Sequence, residues 1–309
     1  MQGERGEEER MAFVCRLCPR MCGVCRGDQG PGQGPGACRM GEGLWVARIA
    51  PHFDEEPCIS GTRGSGTVFF SGCPLLCAFC QNEPVSHGCF GKAVSGKGLL
   101  EGFRRLIDQG VHNINLVSPT HYARALYPLL EKPLPVPVVW NSGGYERPQV
   151  LRAFAERVQV YLPDLKYVDG RLSQTLSGAP DYFAWASAAL KEMYRQVGPP
   201  VLDGDGLIRR GLIVRHLILP GCTEDSMRAL DFIAKELPGA WVSLMAQYMP
   251  FAHTLEMPPF DRPITQAEYD RVYDHLLELG LEEGYVQELG ASDQRYIPSF
   301  DLTGVEGLE

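Results

Sequence analysis

The sequence contains no apolar run long enough to span a bilayer, so a membrane-spanning helix is not expected. Met1 to Arg10 is polar and mostly charged. It has no apolar core segment and does not read as a secretory signal. Positive charge is short: 29 Lys and Arg stand against 38 Asp and Glu, a formal charge of -9. That balance disfavours a broad electrostatic grip on nucleic acid. No segment repeats at a fixed period, which argues against a solenoid. The expectation is a cytoplasmic protein with no membrane and no nucleic-acid partner. Its 309 residues, 44% of them hydrophobic, are enough for a sizeable core.

Cysteine is plentiful. Nine of the eleven cysteines precede residue 81, and seven of those sit in two tight clusters. Nothing points to export, so disulfides are not the default, and clustered thiols in a reducing compartment are more often metal ligands.

Three segments are expected: a Cys-rich region over residues 1–60, a barrel over 61–250 and a cap or extension over 251–309. The lead, 1–10, is charged. Gly27 to Gly36 reads as loop, and residues 11–60 show little periodicity, so a metal would help to order them. From Thr67 onward, apolar runs alternate with helical patterns. Strands are expected near 67–70, 113–117, 136–140, 158–162, 212–219 and 241–245. Helices are expected near 99–107, 122–130, 149–157, 184–196, 225–237 and 266–279. Six strand–helix units favour a parallel sheet with helices outside. A closed barrel of this kind needs eight, so the fold class is α/β, a partial (β/α)6 barrel with a Cys-rich N-terminal metal-binding segment. The ending Arg295 to Phe300 is only loosely readable.

The most informative segment is Gly72-Cys73-Pro74-Leu75-Leu76-Cys77-Ala78-Phe79-Cys80-Gln81-Asn82. Three thiolates within eight residues can hold three corners of a cubane cluster, leaving one iron open, and an open metal position is where chemistry occurs. The loop follows a strand, and in barrel-like α/β folds the carboxyl ends of strands carry the reacting groups. Phe79 is placed to pack against a planar ligand. The competing reading is a zinc knuckle, which needs a fourth ligand from Cys58, His87 or Cys89.

This CxxxCxxC loop, with an aromatic residue before its third cysteine, resembles the signature of the radical S-adenosylmethionine (SAM) superfamily. The resemblance implies a [4Fe–4S] cluster on Cys73, Cys77 and Cys80 whose open iron chelates SAM. Reductive cleavage would yield a 5′-deoxyadenosyl radical that abstracts hydrogen from a substrate. Further motifs resemble a branch related to pyruvate formate-lyase activating enzyme: His52 to Pro57, Ser60 to Thr67, Cys80-Gln81-Asn82, Ser118 to Tyr122, Asn141 to Glu146, Tyr161 to Tyr167 and Val214 to Gly221. The family's Gly-Gly-Glu at the end of the second strand is missing here, where Ser118-Pro119-Thr120-His121 stands. Gly143-Gly144-Tyr145-Glu146 comes a strand later, with an inserted tyrosine, and that role is not transferred to it. Ser118 and Thr120 become the candidates for the SAM contact.

Asp164 and Lys166 flank Leu165 and share a face by period two. Related activating enzymes carry a similar lysine near SAM. Arg215, inside an apolar strand, needs an anionic or carbonyl partner. Asn141 and Gln247, at strand ends, are expected to line the same opening, whereas His121 and His216 read as structural. In the first cluster Cys18, Cys22 and Cys25 also match CxxxCxxC, but no aromatic and no barrel accompany them. The branch resembles this sequence at Cys15, Cys18, Cys22 and Cys38, an auxiliary site for zinc or a second [4Fe–4S] cluster, with Cys25 supernumerary. The partners that the resemblance implies are a polypeptide substrate, as in glycyl-radical-enzyme activases, and a low-potential electron donor such as flavodoxin or ferredoxin. The alternative class is a non-enzymatic iron–sulfur or zinc protein serving electron transfer or scaffolding.

Overall fold

The structure, a computed structural model, describes residues 13–290 and 298–309. The charged lead at 1–10 and the stretch Arg295 to Ile297 lie outside the described residues. The chain begins with β1 (Phe13–Val14) and β2 (Cys25–Arg26), a small antiparallel pair. There follow β3 (Leu44–His52), α1 (Pro57–Ser60), β4 (Ser65–Phe70), α2 (Glu83–Ser86), β5 (Lys92–Val94), α3 (Gly96–Asp108) and β6 (Ile114–Val117). Next come α4 (Ala123–Leu126), β7 (Val138–Ser142), α5 (Pro148–Ala153), β8 (Val160–Pro163), α6 (Gly170–Ser177), α7 (Tyr182–Val197) and β9 (Val201–Leu202). The chain closes with β10 (Ile208–Leu217), α8 (Thr223–Glu236), β11 (Trp241–Met245), α9 (Gln266–Glu278) and β12 (Gly284–Val286).

In the main sheet β4, β6, β7, β8, β10, β11 and β12 lie side by side in chain order, each parallel to the next. Parallel neighbours need crossovers, and stepping always in one direction sends every crossover to the same face. One face therefore receives the helices while the other curls inward. All six expected strands are present, and the fold is a partial barrel. Among the described residues the sheet ends at β12 on one side and at the antiparallel pair β3–β5 on the other. Among the described residues no helix is long and apolar enough to cross a membrane.

Side-chain alternation sorts the core. Trp140, Tyr161, Val214, Val242 and Leu244 are buried in the main core, together with Leu99, Phe103, Leu190 and Leu230 of the helices. Val139, Val160, Leu162 and Ile213 face the interior and pack on Cys58 and Ile59 of α1, forming an apolar plug. Above that plug the inward positions turn polar, at Asn115, Asn141, Arg215 and Ser243.

Three features depart from the expectation. The sheet crosses the boundary expected at residue 60, because Leu44–His52 pairs with β4 and β5. Its Pro51 lies past the residues paired with β5, where a missing N–H costs no ladder bond. The helix expected over 122–130 is broken into α4 and a turn at Pro128–Leu130, since proline cannot donate to the preceding turn. Helix α6 went unread; Asp169 caps it by accepting from the backbone N–H groups of Arg171 (2.7 Å) and Leu172 (3.0 Å). The tail joins the body as well, its Thr303 carbonyl accepting from the Ile49 N–H at 2.9 Å.

Candidate active site

The loop from Gly72 to Asn82 leaves the carboxyl end of β4. Gly72 has φ 79°, and a side chain there would collide with the Cys38 carbonyl at 2.7 Å, so only glycine fits. Each thiol of this loop accepts one hydrogen bond. The Leu75 N–H donates to Cys73 Sγ (3.4 Å), Ser177 Oγ to Cys77 Sγ (3.0 Å) and Ser86 Oγ to Cys80 Sγ (3.2 Å). Tyr167 OH lies 2.8 Å from Ser177 Oγ and, as donor, frees the serine proton for sulfur. Burial, reinforced by the neighbouring thiols of Cys77 and Cys80, pushes the Cys73 thiol up to about 12. Such thiols stay protonated until a metal displaces the protons.

Arg20, from the N-terminal segment, fastens this loop to the end of α6. It donates to the carbonyls of Pro74 (2.8 Å), Leu75 (3.3 Å), Ser177 (2.6 Å) and Gly178. The guanidinium thus spans two chain segments that meet only in the folded state.

A cavity of about 210 Å³ opens under the loop. Cys73, Cys77, Phe79, Cys80, Ser118, Asn141, Asp164, Lys166, Arg215 and Gln247 all line it, together with Gly143. Ser118 takes φ 59° there, a left-handed conformation uncommon for serine. Thr120 is the exception among the expected residues. Its hydroxyl donates to Glu146 Oε1 at 2.6 Å, and it does not line the cavity. Glu146 itself is fully buried and also accepts from Trp140 Nε1 at 3.1 Å.

The cavity floor is an ion-pair chain. Lys166 Nζ lies 2.6 Å from Asp164 Oδ2, Arg215 Nε 2.9 Å from Asp164 Oδ1, and Arg215 Nη1 3.2 Å from Glu55 Oε2. Asn115 and Asn141 each donate to Glu55 Oε1 at 3.1 Å. Burial works against charge on Asp164, but Arg215 and Lys166 outweigh it and hold the carboxyl below its ordinary value. Burial likewise opposes the Lys166 charge, and Asp164 and Cys77 together raise its pKa. The ammonium also sits 5.9 Å from the Phe79 ring centroid. The site therefore presents a fixed cation beside the cysteine loop, suited to a carboxylate. Glu55 escaped the sequence reading; its signal was the acidic run Asp54-Glu55-Glu56 between two elements.

The two histidines lie elsewhere. The His121 ring is fully buried and pushed down to about 3, by burial first and then by Arg26, and its Nε2 bonds the Ser71 carbonyl at 2.8 Å. His216 Nδ1 bonds the Leu165 carbonyl at 2.6 Å, and burial lowers its pKa.

In the N-terminal segment, burial pushes the Cys18 thiol up to about 12, with smaller contributions from Cys38, Cys15 and Cys22. Those four thiols thus sit within electrostatic range of one another. Cys25 pairs with Val14 in the β1–β2 ribbon and is exposed. Among the described residues no three His, Cys, Asp or Glu side chains converge on a single-ion position. Of the candidate fourth ligands for a zinc knuckle in the second loop, the Cys58 N–H donates to Tyr285 OH at 3.2 Å, His87 Nδ1 lies 3.0 Å from Ser86 Oγ and Cys89 Sγ 3.7 Å from Arg39 Nη2. A cubane spaces its thiolates more widely than one ion does, so three thiols lining one cavity suit it.

No family model matches the chain. The uncharacterized protein MJ0674 of Methanocaldococcus jannaschii is 28% identical over 273 residues, 84% of this chain and 73% of that protein. Among solved structures, Streptococcus suis SuiB bound to precursor peptide SuiA aligns with TM-score 0.47 at 13% identity, over 70% of this chain and 46% of SuiB. The chain thus spans about half the length of the SuiB structures it matches. A domain of pyruvate-formate lyase-activating enzyme from Bacteroides vulgatus aligns with TM-score 0.37 at 14% identity, over 62% of this chain and 91% of that domain. The resemblance to the radical SAM superfamily accordingly stands on the residues of the Cys73–Cys80 loop and the cavity beneath it.

Proposed function

We propose that this chain is a radical SAM enzyme whose three-cysteine loop holds a [4Fe–4S] cluster with one open iron. The observation that carries the reading is the joining of Cys73, Cys77 and Cys80 in one cavity with Lys166, Asn141 and Ser118, each sulfur accepting a hydrogen bond. When bound, the cluster would pass one electron from a low-potential donor into the sulfonium of SAM, giving methionine and a 5′-deoxyadenosyl radical that takes a hydrogen atom from the substrate.

The chain's own residues bind and orient. Lys166, held by Asp164, offers its ammonium to the SAM carboxylate; Phe79 and Leu75 wall the cavity. Ser177 and Ser86 fix the rotamers of two ligating thiols, as partners beyond the metal ligands do in other metal sites. The Cys15, Cys18, Cys22 and Cys38 set is read as an auxiliary site. Four sulfurs there suit either zinc or a second [4Fe–4S] cluster. A sheet whose edges, β12 and β5, are not paired with each other among the described residues supports a polypeptide substrate entering from the side.

The test is anaerobic reconstitution with iron and sulfide, followed by reduction with SAM and analysis of nucleosides. Wild type yields 5′-deoxyadenosine and methionine. If the Cys73→Ala/Cys77→Ala/Cys80→Ala variant produces them equally, the assignment is wrong.

A further inference from the structure

A second chamber, of about 220 Å³, adjoins the first. The two share Gln81, Asn82, Val117, Asn141, Arg215, Met245 and Gln247, which form the neck between them. The second chamber sits at the seam of the barrel, with residues 52–57 on one side and Tyr285 and Gln287, next to or within β12, on the other.

Its charges do not balance. Around the neck, Lys166 and Arg215 are matched by Asp164 and Glu55 in direct ion pairs. Glu56 is left over. It is 8% exposed and lines the chamber, and among the described residues it makes no ion pair and its Oε2 has no hydrogen-bond partner. Asp54, exposed at the mouth, adds a second acid. The other lining groups include the neutral polar side chains Ser243, Tyr285 and Gln287, of which Ser243 bonds the Glu56 carboxyl and Gln287 is engaged by Ala246 and Gln247. Leaving a buried carboxylate oxygen without a partner is costly, and such sites await a donor. No single-ion position occurs there among the described residues, and Glu55 is already engaged by Arg215, Asn115 and Asn141, which leaves Glu56 as the buried carboxylate open to a partner. It suits a cation that carries several N–H donors.

We propose that the seam chamber is a subsite for an organic cation, an ammonium or guanidinium group of the substrate, with Glu56 as its carboxylate partner. The assignment of that cation to the substrate rests on the proposed radical SAM function, because the neck then opens towards the site of hydrogen abstraction. Binding at Glu56 does not depend on that function. A cation seated against Glu56 directs the rest of its molecule into the neck beside Asn141 and Gln247. The same chemistry is offered by a free amine metabolite and by an arginine or lysine of a peptide.

Equilibrium binding to the purified full chain tests this by calorimetry, with agmatine, the uncharged analogue n-butylurea and a terminally blocked Gly-Arg-Gly peptide. Either cationic probe binds wild type, the neutral analogue binds at least about tenfold more weakly, and Glu56→Gln reduces cation binding by a similar factor. Binding of the peptide without agmatine identifies a peptide source; binding of agmatine without the peptide identifies a metabolite. The comparison of charged and neutral probes on wild type needs no variant, so a poorly folded Glu56→Gln leaves the test intact. Failure of both cations to bind, equal binding of the neutral analogue, or undiminished binding to folded Glu56→Gln overturns the proposal. Formation of 5′-deoxyadenosine without cation binding sinks the subsite alone. Cation binding without SAM cleavage sinks the radical SAM function and leaves the subsite standing.

Discussion

Replacing Ser177 by alanine removes one defined contact, the 3.0 Å hydrogen bond to Cys77 Sγ. A reduced cluster carries one more negative charge than an oxidised one, so a donor aimed at a ligating sulfur stabilises the reduced form more. A hydrogen bond to a neutral group contributes about 0.5–1.5 kcal/mol and one to a charged group about 1.5–3 kcal/mol. The difference felt on adding a charge shared across a cluster is then about 0.5–1 kcal/mol. For a one-electron couple this corresponds to a fall of about 20–40 mV in reduction potential. The assay is an anaerobic redox titration of reconstituted protein, read by the electron paramagnetic resonance of the reduced cluster. Alanine also strands Tyr167 OH, which loses its 2.8 Å partner, so the melting temperature falls as well. Ser177→Thr keeps the hydroxyl and separates the two effects by restoring the potential. A potential that stays unchanged or rises in Ser177→Ala refutes the role assigned to this donor.

Glu146 makes a pH prediction. Burial raises its carboxyl from an ordinary 4.5 to about 7, against hydrogen bonds from Thr120 and Trp140. The native state then binds more protons than the unfolded chain between those values, so its contribution to stability is full below about 4.5 and falls as pH rises towards 7, by on the order of 3 kcal/mol. Denaturant unfolding at pH 5 and pH 8 should show Glu146→Gln gaining on wild type at the higher pH; an equal difference at both would contradict this. In the N-terminal segment, metal analysis should find Cys25→Ser fully loaded, while serine at Cys15, Cys18, Cys22 or Cys38 depletes the auxiliary site. Loading that survives at all four positions counts against that site.

Much of the site was legible because its residues sit where period and punctuation are strong. The six parallel strands are short apolar runs, and residues at or near their ends, such as Asn141, Asp164 and Lys166, fall on one cavity by alternation alone. Thr120 misled because its position after β6 says nothing of its rotamer: Pro119 starts a tight turn that swings the hydroxyl to Glu146. Glu55 and Glu56 were out of reach for another reason. They follow an antiparallel strand that runs against the barrel, and only the register of β3 on β4 carries them beneath it. Ser177, a hundred positions from Cys77, has no local signal at all.

The Arg20 contacts have a consequence for assembly. One guanidinium, rooted between Cys18 and Cys22, grips the carbonyls of the Cys73 loop and of the α6 terminus. Ordering of the first cysteine segment therefore lowers the cost of closing the second, and linkage makes that help mutual and equal in free energy. Were both proposed cysteine sites to take metal, they would not load as independent compartments: whichever filled first would raise the affinity of the other, and a chelator that stripped the weaker one would loosen its neighbour.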